Sequence, residues 1–377
     1  MIWDPHDRVS LQTARAVIDT RAAATAVGVI PPNELPAMLA AQGLLMHADP
    51  AWPMYSLSSA EQQNFANHVT LLGIIALSRA RLAAEVAAAL EQAQIRFLVI
   101  KGVALAVQAW GHASARGAGD LDVFVAEEDV SAVAGVLADF GAVPQRTDRD
   151  LRPRARDRAM HHALTFGYRD TGVDVHYRLD TIPSVMRMSF DECFARSSSV
   201  QIGSRSVPTL SLDDALLLAA CNGGRDAWVK WGSVLDVVAM WRRKQAPAAE
   251  LMARAVEVGA AGRLAVALAL GRLVDPSLPE QSRPATAIAR RVLRMHAQTR
   301  RDSVWVDRRR AWASFGIMLS SVGEREAYAW GARQIMWQGD PDLRPGYGGP
   351  GAAAVESVSK LAQMGGHLVG IDRRPAV

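Results

Sequence analysis

Apolar residues recur along this chain with two different periods, and the change of period divides the chain into parts. Up to about residue 94 the apolar positions have the spacing of an α-helix, and this spacing returns from about residue 208. Between these limits, short apolar runs alternate with helical stretches, which is typical of strands and helices in succession. We therefore predict an α+β fold, with helical regions on both sides of a small sheet-containing core.

The boundaries of these parts follow from prolines, glycines and helix-capping residues. Pro31-Pro32 separates two early helices, and Ser58 with Glu61 forms a capping box that opens a long helix. We expect this helix to pack on the sheet through its apolar residues, which include Val69, Leu72, Ile75, Leu82 and Val86. We predict four segments: an N-terminal helical region at 1–94, an α/β core at 95–207, a C-terminal helical lobe at 208–344, and a Gly-rich linker with a peripheral tail at 345–377.

Two acidic residues stand two positions apart at the start of an apolar strand. Successive strand side chains point to opposite faces, so Asp120 and Asp122 share one face while the apolar residues between and after them face a core. Paired carboxylates repel each other unless a cation lies between them, and Mg²⁺ prefers such oxygen ligands. A second alternating segment carries Asp174 and His176 on one face, and we predict Asp174 as a third metal ligand.

Upstream of these carboxylates the sequence predicts a phosphate-binding turn. A short buried strand at 95–100 leads through Lys101-Gly102 into a helix-like run that Gly111 ends. A helix N-terminus exposes backbone N–H groups that bind phosphate, and Lys101 would add a charge for a triphosphate. Arg116 lies just before the carboxylates and could serve the same anion.

In chain order, these residues resemble the motifs of the polymerase-β-like nucleotidyltransferase superfamily, and within it the uncharacterised nucleotidyltransferase family. The matching residues are Lys101-Gly102, Arg116, Asp120 and Asp122, and Asp174 with His176. The resemblance covers roughly residues 95 to 240. In this family a histidine precedes the last strand motif, as His162 does here, and Lys-Gly replaces the Gly-Ser signature of the wider superfamily.

The resemblance continues into a helical region after the strands. Lys230, Trp231 and Asp236 match the Trp- or Lys-containing turn and the aspartate of the family pattern. Asn222 departs from the pattern, because the family has a histidine at that position. Trp228 or Trp231 could offer the flat apolar face on which a base stacks, although we expect most of the tryptophans to lie in the core.

The resemblance implies a small mixed-sheet nucleotidyltransferase core that moves a nucleoside monophosphate from an NTP such as ATP to an acceptor, with loss of pyrophosphate. It implies two Mg²⁺ ions that carry most of the catalysis. The implied catalytic residues and metal ligands are Asp120, Asp122 and Asp174. The implied nucleotide-binding residues are Lys101, Gly102, Arg116, His176 and Lys230. The implied acceptors are small molecules, peptides or proteins, and we expect a small molecule or a peptide natural product.

Other interpretations of the same residues stay open at this point. Asp120 and Asp122 also suit the solvated face of an ordinary strand, and Lys101 suits the surface end of one. His176 is equally compatible with a half-buried histidine that bonds a backbone carbonyl. The alternative functions are a toxin-like transferase acting on tRNA or protein, a non-catalytic nucleotide-binding module, and a basic, mostly helical nucleic-acid-binding protein. The intact carboxylates argue against the non-catalytic module.

Composition narrows the class of protein. Half of the 377 residues are apolar and 21% are charged, which is enough for two or three packed regions. Cys193 and Cys221 have no metal-ligand spacing, so we expect neither a zinc site nor a disulfide framework. No apolar run approaches the roughly 20 residues that span a bilayer, and the N-terminus has no signal-like pattern. We therefore expect a cytoplasmic protein with no membrane partner.

The charge is modestly basic, at a formal +4, and is compatible with an acidic partner, nucleic acid included. The densest basic cluster runs from Arg146 to Arg158, between the two acidic strands. This cluster could bind an anionic acceptor or a polyphosphate, or it could be a solvated loop with local Asp–Arg pairs. No aromatic residue interrupts the arginines, which weakens the case for single-stranded nucleic acid held by base stacking.

Overall fold

The computed structural model describes residues 5–19, 30–117, 119–144 and 162–298, together with Ile317, Ser320 and Ser321. All of these residues fall within a compact unit of the chain that ends at Val322. Three of the predicted features lie outside the described residues. They are the Arg146–Arg158 cluster, the Gly-rich linker with its tail, and most of the C-terminal lobe beyond Gln298.

The N-terminal part is helical, as the sequence predicts. Its α-helices are α1 (Pro5–Ile18), α2 (Leu35–Ala41) and α3 (Ser59–Gln92), with 3₁₀ turns at Leu45–His47 and Pro53–Tyr55. The capping box of α3 is confirmed, because Ser58 Oγ accepts from the Glu61 N–H and the Glu61 carboxylate accepts from the Ser58 N–H at 2.8 Å. Among the described helices, none combines the length and the apolar character that a membrane crossing requires.

Only the second half of α3 packs on the strands. Its residues from Ala80 to Leu90 supply buried side chains to the main core, whereas Leu71, Ile74 and Leu77 are more than half exposed. The expected packing on the sheet is therefore confirmed for Leu82 and Val86, whereas Val69, Leu72 and Ile75 are not part of that core. The reason is length: a helix of 34 residues extends for about 50 Å, whereas the short strands span at most about 20 Å.

Five strands form one mixed sheet in the spatial order β1-β2-β5-β4-β3. They are β1 (Phe97–Ile100), β2 (Leu121–Val125), β3 (Val143–Pro144), β4 (Ala163–Tyr168) and β5 (Thr171–His176). Strands β2 and β5 are parallel, and the other neighbours in this sheet are antiparallel. The mixed sheet confirms the α+β class. Val99, Val123 and Val175 point from it into the main core and are essentially inaccessible.

Two helices connect the first three strands. Helix α4 (Gly102–Trp110) follows β1 directly, and α5 (Val130–Asp139) follows β2 after a 3₁₀ turn at Glu127–Asp129. The acidic residues of that turn lie at the start of α5, where they complement the helix dipole, as the sequence predicts. The immediate step from β1 to α4 sets Lys101 at the junction of sheet and helix.

The described part after β5 is again mostly helical. Its elements are α6 (Phe190–Ala195), the hairpin β6 (Ser198–Ile202) and β7 (Arg205–Thr209), and helices α7 (Leu212–Arg225), α8 (Trp231–Arg243), α9 (Ala248–Glu257), α10 (Ala261–Gly271) and α11 (Arg283–Gln298). The sequence pattern predicts helices at 215–221, 227–242, 263–274 and 285–296, which correspond to α7, α8, α10 and α11, but it misses α9. Helix α9 buries only Leu251 and Ala255, so its apolar stripe is too short to stand out in the sequence.

Candidate active site

A cavity of about 370 Å³ lies between the acidic strands and the helices α7 and α8. It is lined by all eight residues that the sequence analysis assigns to the site: Lys101, Gly102, Arg116, Asp120, Asp122, Asp174, His176 and Lys230. The two strands, the β1–α4 turn and the start of α8 each contribute to this wall. Residues that are up to 129 positions apart therefore share one space, which is the first requirement of a common site.

The turn between β1 and α4 is strained and brings a lysine onto the acidic residues. Lys101 has φ 54° and ψ −150°, a backbone region that costs a non-glycine residue of order 1–3 kcal/mol. Gly102 follows at φ +35°, and a Cβ there would lie 3.4 Å from the Asp120 carbonyl oxygen. Lys101 Nζ donates to Asp122 Oδ1 at 2.9 Å. The strained backbone thus holds the ammonium group against the carboxylate.

Asp122, Asp174 and His176 form the centre of the cavity wall. Asp122 on β2 lies directly beside Asp174 on β5, because the parallel strands pair with these two residues in register. His176 Nε2 is 2.8 Å from Asp122 Oδ1, and Thr165 Oγ1 donates to Asp174 Oδ1 at 2.6 Å. One potential ligand atom from each of the three central residues lies within 4.8 Å of the other two. This spacing suits contact with a single cation.

The chemistry of these donors fits a divalent metal. Asp122 and Asp174 each use Oδ1 for their hydrogen bonds, and within the described part of the chain Oδ2 of each has no hydrogen-bond donor. Carboxylate oxygens are the ligands that Mg²⁺ prefers, whereas imidazole nitrogen is more typical of zinc, copper or iron. The two aspartates therefore suit Mg²⁺, and the histidine suits a supporting contact to Asp122.

The protonation states follow from burial and from the neighbouring charges. Burial disfavours the charge of Asp122, but Lys101 and the hydrogen bonds outweigh it and hold the pKa of this carboxyl well below its ordinary value. Burial and the Lys101 charge lower the pKa of His176 against the attraction of Asp122. The imidazole is therefore neutral. His176 Nε2 lies 2.8 Å from Asp122 Oδ1, which only accepts, and 3.2 Å from Lys101 Nζ, which only donates. The shorter contact assigns the proton to Nε2, which then donates to Asp122 Oδ1.

Asp120 occupies a different position from Asp122. It lies one residue before β2, is exposed, and accepts a hydrogen bond from the Gly172 N–H at 3.0 Å. A Cβ at position 172 would lie 2.9 Å from the same Asp120 oxygen, so glycine is required for this contact. The sequence analysis groups Asp120 with Asp122 and Asp174, whereas the 4.8 Å group contains His176 in its place. Asp120 lines the cavity beside that group.

Arg116 is held at the cavity by a buried carboxylate of α8. Its Nη2 lies 3.1 Å from Asp236 Oδ2, and Asp236 Oδ1 accepts from Trp110 Nε1 at 2.9 Å. The Trp110 ring lies on the His47 ring with centroids 4.2 Å apart. Burial lowers the pKa of His47 to about 4, so this imidazole is neutral at pH 7. Nothing in the sequence around His47 signals this contact, because it joins residues 63 positions apart.

The opposite wall carries Arg225 and Lys230, from the end of α7 and the start of α8. Arg225 Nη1 lies 3.3 Å from His162 Nε2. Burial, together with nearby His176 and Arg225, lowers the pKa of His162 to about 2. The sequence analysis did not single out Arg225. A signal was present, because Arg225 follows Asn222 by three residues and so shares its helix face.

Several residues that the sequence made conspicuous are simply buried. Trp228 is 1% exposed and Trp231 is 2% exposed, and neither lines the cavity. The structure therefore does not support the suggestion that one of them stacks on a base. Cys193 and Cys221 are free and buried, and burial raises the pKa of each thiol to about 12.

Comparison with known families and proteins bears directly on this site. The model of a family described as uncharacterised nucleotidyltransferase matches residues 54–274, which is more than half of the 377-residue chain. The matched span includes the whole five-stranded sheet and all eight site residues assigned from the sequence. A search of curated proteins gives no match to the chain.

Proposed function

The chain belongs to the uncharacterised nucleotidyltransferase family, and on that premise we propose that it transfers a nucleoside monophosphate from an NTP to an acceptor with release of pyrophosphate. The observation that carries this proposal is the pairing of Asp122 with Asp174 in register on parallel strands, beside Lys101. Two carboxylates and a lysine at one end of a sheet suit a metal-bound triphosphate. The cavity of about 370 Å³ next to them offers space for the reacting groups.

The cations of the β1–α4 side would bind the triphosphate. Lys101 lies at the N-terminus of α4, where backbone N–H groups and the helix dipole favour phosphate. Gly102 lets the backbone approach closely, since its φ of +35° is unfavourable for other residues. Arg116 keeps its orientation through Asp236 and would offset charge on the same anion. These contacts hold the leaving group in place while the transferred phosphorus is attacked.

Asp120, Asp122 and Asp174 would hold Mg²⁺, and the family suggests two ions. The metal would neutralise the negative charge that develops on the phosphates as pyrophosphate leaves. His176 would support the site by donating to Asp122, which fixes the rotamer of that carboxylate. Thr165 fixes Asp174 in the same way.

The reaction also needs a base that takes a proton from the acceptor, and a carboxylate can do this. The acceptor oxygen forms a bond to the α-phosphorus, and the bond from that phosphorus to the bridging oxygen breaks with its electron pair on pyrophosphate. A hydroxyl acceptor must lose its proton in this step. We assign that proton to Asp174 when it is not serving as a metal ligand, because its carboxylate lines the cavity beside Asp122. The acceptor class favoured by the family remains a small molecule or a peptide.

The test compares NTP binding and turnover in matched variants. Each of the four NTPs is titrated calorimetrically with Mg²⁺ into the wild type, the Asp120→Ala/Asp122→Ala double variant and an Asp139→Ala control. Asp139 is an exposed carboxylate at the end of α5 and does not line the cavity. Pyrophosphate release is then followed after cell extract is added as a source of acceptor.

We expect Mg²⁺-dependent NTP binding by the wild type and the control, and none by the double variant. Pyrophosphate should form only with the proteins that bind. Absence of binding by every NTP to the wild type would contradict the transferase and favour a non-catalytic module. Pyrophosphate release that requires the tRNA or protein fraction of the extract would instead identify the toxin-like alternative.

A further inference from the structure

Three cations that line the cavity, Lys101, Arg116 and Arg225, differ in how their charge is neutralised, and a fourth, Lys230, is exposed to water. Lys101 pairs with Asp122 at 2.9 Å, and Arg116 pairs with Asp236 at 3.1 Å. Arg225 is different, because its hydrogen bond of 3.3 Å goes to His162 Nε2 and not to a carboxylate. It is about a quarter exposed, so its remaining N–H groups are accessible from the cavity.

The Arg225–His162 contact leaves the positive charge of the arginine in place. An arginine does not lose its proton in proteins and can only donate, so His162 Nε2 must be the acceptor of this bond. A histidine that accepts at Nε2 is the neutral Nδ1–H tautomer. Among the residues that the structure describes, the carboxylate nearest to Arg225 is that of Asp226 at 3.7 Å, which is 60% exposed and therefore screened by water. Arg225 is thus a cation that a neutral group holds in position.

Lys101 and His162, the residue that contacts Arg225, lie beside strands on opposite sides of the two acidic strands. Lys101 follows β1, which pairs with β2, whereas His162 immediately precedes β4, which pairs with β5. The sheet order β1-β2-β5-β4 sets the backbones of Lys101 and His162 on opposite sides of the acidic strands. Their side chains approach His176 from these two sides, because Lys101 Nζ lies 3.2 Å from His176 Nε2 and the His162 ring lies 5.0 Å from the His176 ring. In phosphoryl transfer the attacking and leaving oxygens are roughly in line on opposite sides of the phosphorus. If the triphosphate lies on the Lys101 side, the acceptor approaches from the Arg225 side.

Asn222 supplies a second, independent observation on the same wall. It lies one helical turn before Arg225 on α7 and lines the same cavity. Its Oδ1 is buried and has no hydrogen-bond partner among the residues that the structure describes. A buried acceptor of this kind is costly unless a ligand or a water donates to it. The wall thus carries a cation and an unpartnered acceptor oxygen on residues three positions apart on α7.

We infer that Arg225 and Asn222 form a subsite for the acceptor. This subsite selects an acceptor that carries an oxyanion, either a carboxylate or a phosphate, next to a hydroxyl or N–H donor. Arg225 binds the oxyanion, and Asn222 Oδ1 accepts from the donor. His162 is a positioning residue, because it acts through Arg225. The inference rests on the proposed transfer reaction and adds to it the chemical class of the acceptor.

The experiment uses the full chain with Mg²⁺ and a non-hydrolysable NTP analogue. Thermal unfolding is followed while inorganic phosphate or lactate is titrated, since a ligand of the native state raises Tm with concentration. Phosphate represents the phosphate source of the oxyanion, and lactate represents a hydroxycarboxylate. The proteins compared are the wild type, Arg225→Gln, Asn222→Asp and an Arg81→Gln control. Arg81 has a side chain that is 82% exposed and does not line the cavity.

We expect one of the two anions to raise the Tm of the wild type and of Arg81→Gln, with an apparent affinity at least about tenfold weaker in Arg225→Gln. Asn222→Asp should show the same loss, because it sets a carboxylate beside the guanidinium. The Asn222→Asp variant keeps the inference testable if Arg225→Gln does not fold. The anion that binds identifies the source of the oxyanion. The analogue should bind all four proteins with affinities within about twofold of one another.

Two results would overturn the inference. The first is an anion-induced Tm shift that is the same in the wild type and in Arg225→Gln, which would show only a general salt effect. The second is a loss of at least about tenfold in affinity for the NTP analogue in Arg225→Gln, which would assign Arg225 to the triphosphate. Failure of the analogue to bind even the wild type would count against the transfer reaction itself. That outcome can be distinguished from a failure of the acceptor subsite, because the anion titration is also run without nucleotide.

Discussion

Among the described residues, the ion pairs Arg263–Asp180 and Lys101–Asp122 are both largely buried, and they differ in what surrounds them. Arg263 on α10 pairs with Asp180 at 2.7 Å, and both side chains are completely buried. Lys101 pairs with Asp122 at 2.9 Å, but these side chains keep 12% and 14% exposure where they face the cavity. The first pair lies within the packed helical region after β5, and the second lies at the edge of the sheet.

The surroundings indicate a structural role for one pair and a functional role for the other. Arg263 Nη1 also donates to the Cys221 carbonyl, and a Cβ at Gly224 would lie 2.6 Å from Arg263 Cδ. One cation meets one anion there, and neither side chain is accessible to solvent. Around Lys101 a single ammonium faces the carboxylates of Asp122 and Asp174. Two neighbouring carboxylates that share one ammonium would be stabilised by a bound cation, as the proposed function requires.

Breaking the fully buried Arg263–Asp180 pair should have the largest effect, and this effect should be on stability. Arg263→Leu leaves Asp180 buried without its cation, which should lower the free energy of unfolding by about 3–5 kcal/mol. Urea denaturation of the full chain measures this loss. Arg81→Leu is the control, because the Arg81–Glu85 pair is exposed and should contribute less than about 1 kcal/mol. Equal losses of unfolding free energy in the two variants would contradict a special role for the Arg263–Asp180 pair.

Breaking the Lys101–Asp122 pair, which faces the cavity, should lower the rate of the reaction instead. Asp122→Asn keeps the shape of the side chain but removes the charge that binds the cation, so pyrophosphate release should slow by about 10²–10³-fold. The urea midpoint should change little, because Lys101 can turn toward the water of the cavity. Asp139→Asn, outside the cavity, should keep full activity. A large loss of stability with unchanged turnover would reverse the assigned roles.

Gly172→Ala sharpens the distinction between Asp120 and Asp122. The added Cβ would lie 2.9 Å from Asp120 Oδ1 and must displace that carboxylate, while Asp122 is untouched. We expect the Mg²⁺ concentration for half-maximal turnover to rise by about 10–100-fold. Gly135→Ala is the control, because a Cβ there meets no atom within 4 Å. An unchanged Mg²⁺ dependence in Gly172→Ala would show that Asp120 does not hold the cation.

The smallest effect is expected far from both pairs. Ser58→Ala removes the capping box of α3 and should cost about 1 kcal/mol of unfolding free energy, with no change in Mg²⁺-dependent NTP binding. Ser59→Ala, one position further along, lies outside the capping box and should be close to neutral. A change in NTP affinity for Ser58→Ala would show that the α3 N-terminus is coupled to the cavity.

Features that depend on a few neighbouring residues could be predicted from the sequence. The capping box at Ser58, the acidic start of α5 and the helix after Lys101-Gly102 all appear where the sequence analysis expects them. The alternation that sets Asp120 and Asp122 on one side of a strand is equally local. These features are determined by backbone geometry within one or two turns, so distant contacts do not change them.

Features that depend on distant residues were decided only by the tertiary structure. The register that aligns Asp122 with Asp174 joins residues 52 positions apart, and the Arg225–His162 contact joins residues 63 positions apart. The exposed first half of α3 has the same origin, because its apolar pattern does not reveal where the sheet ends. By itself the sequence determined which side chains were available and how each lies on its own strand or helix. Packing decided which of them meet, because strand pairing and helix docking depend on complementary surfaces that no short stretch of sequence contains.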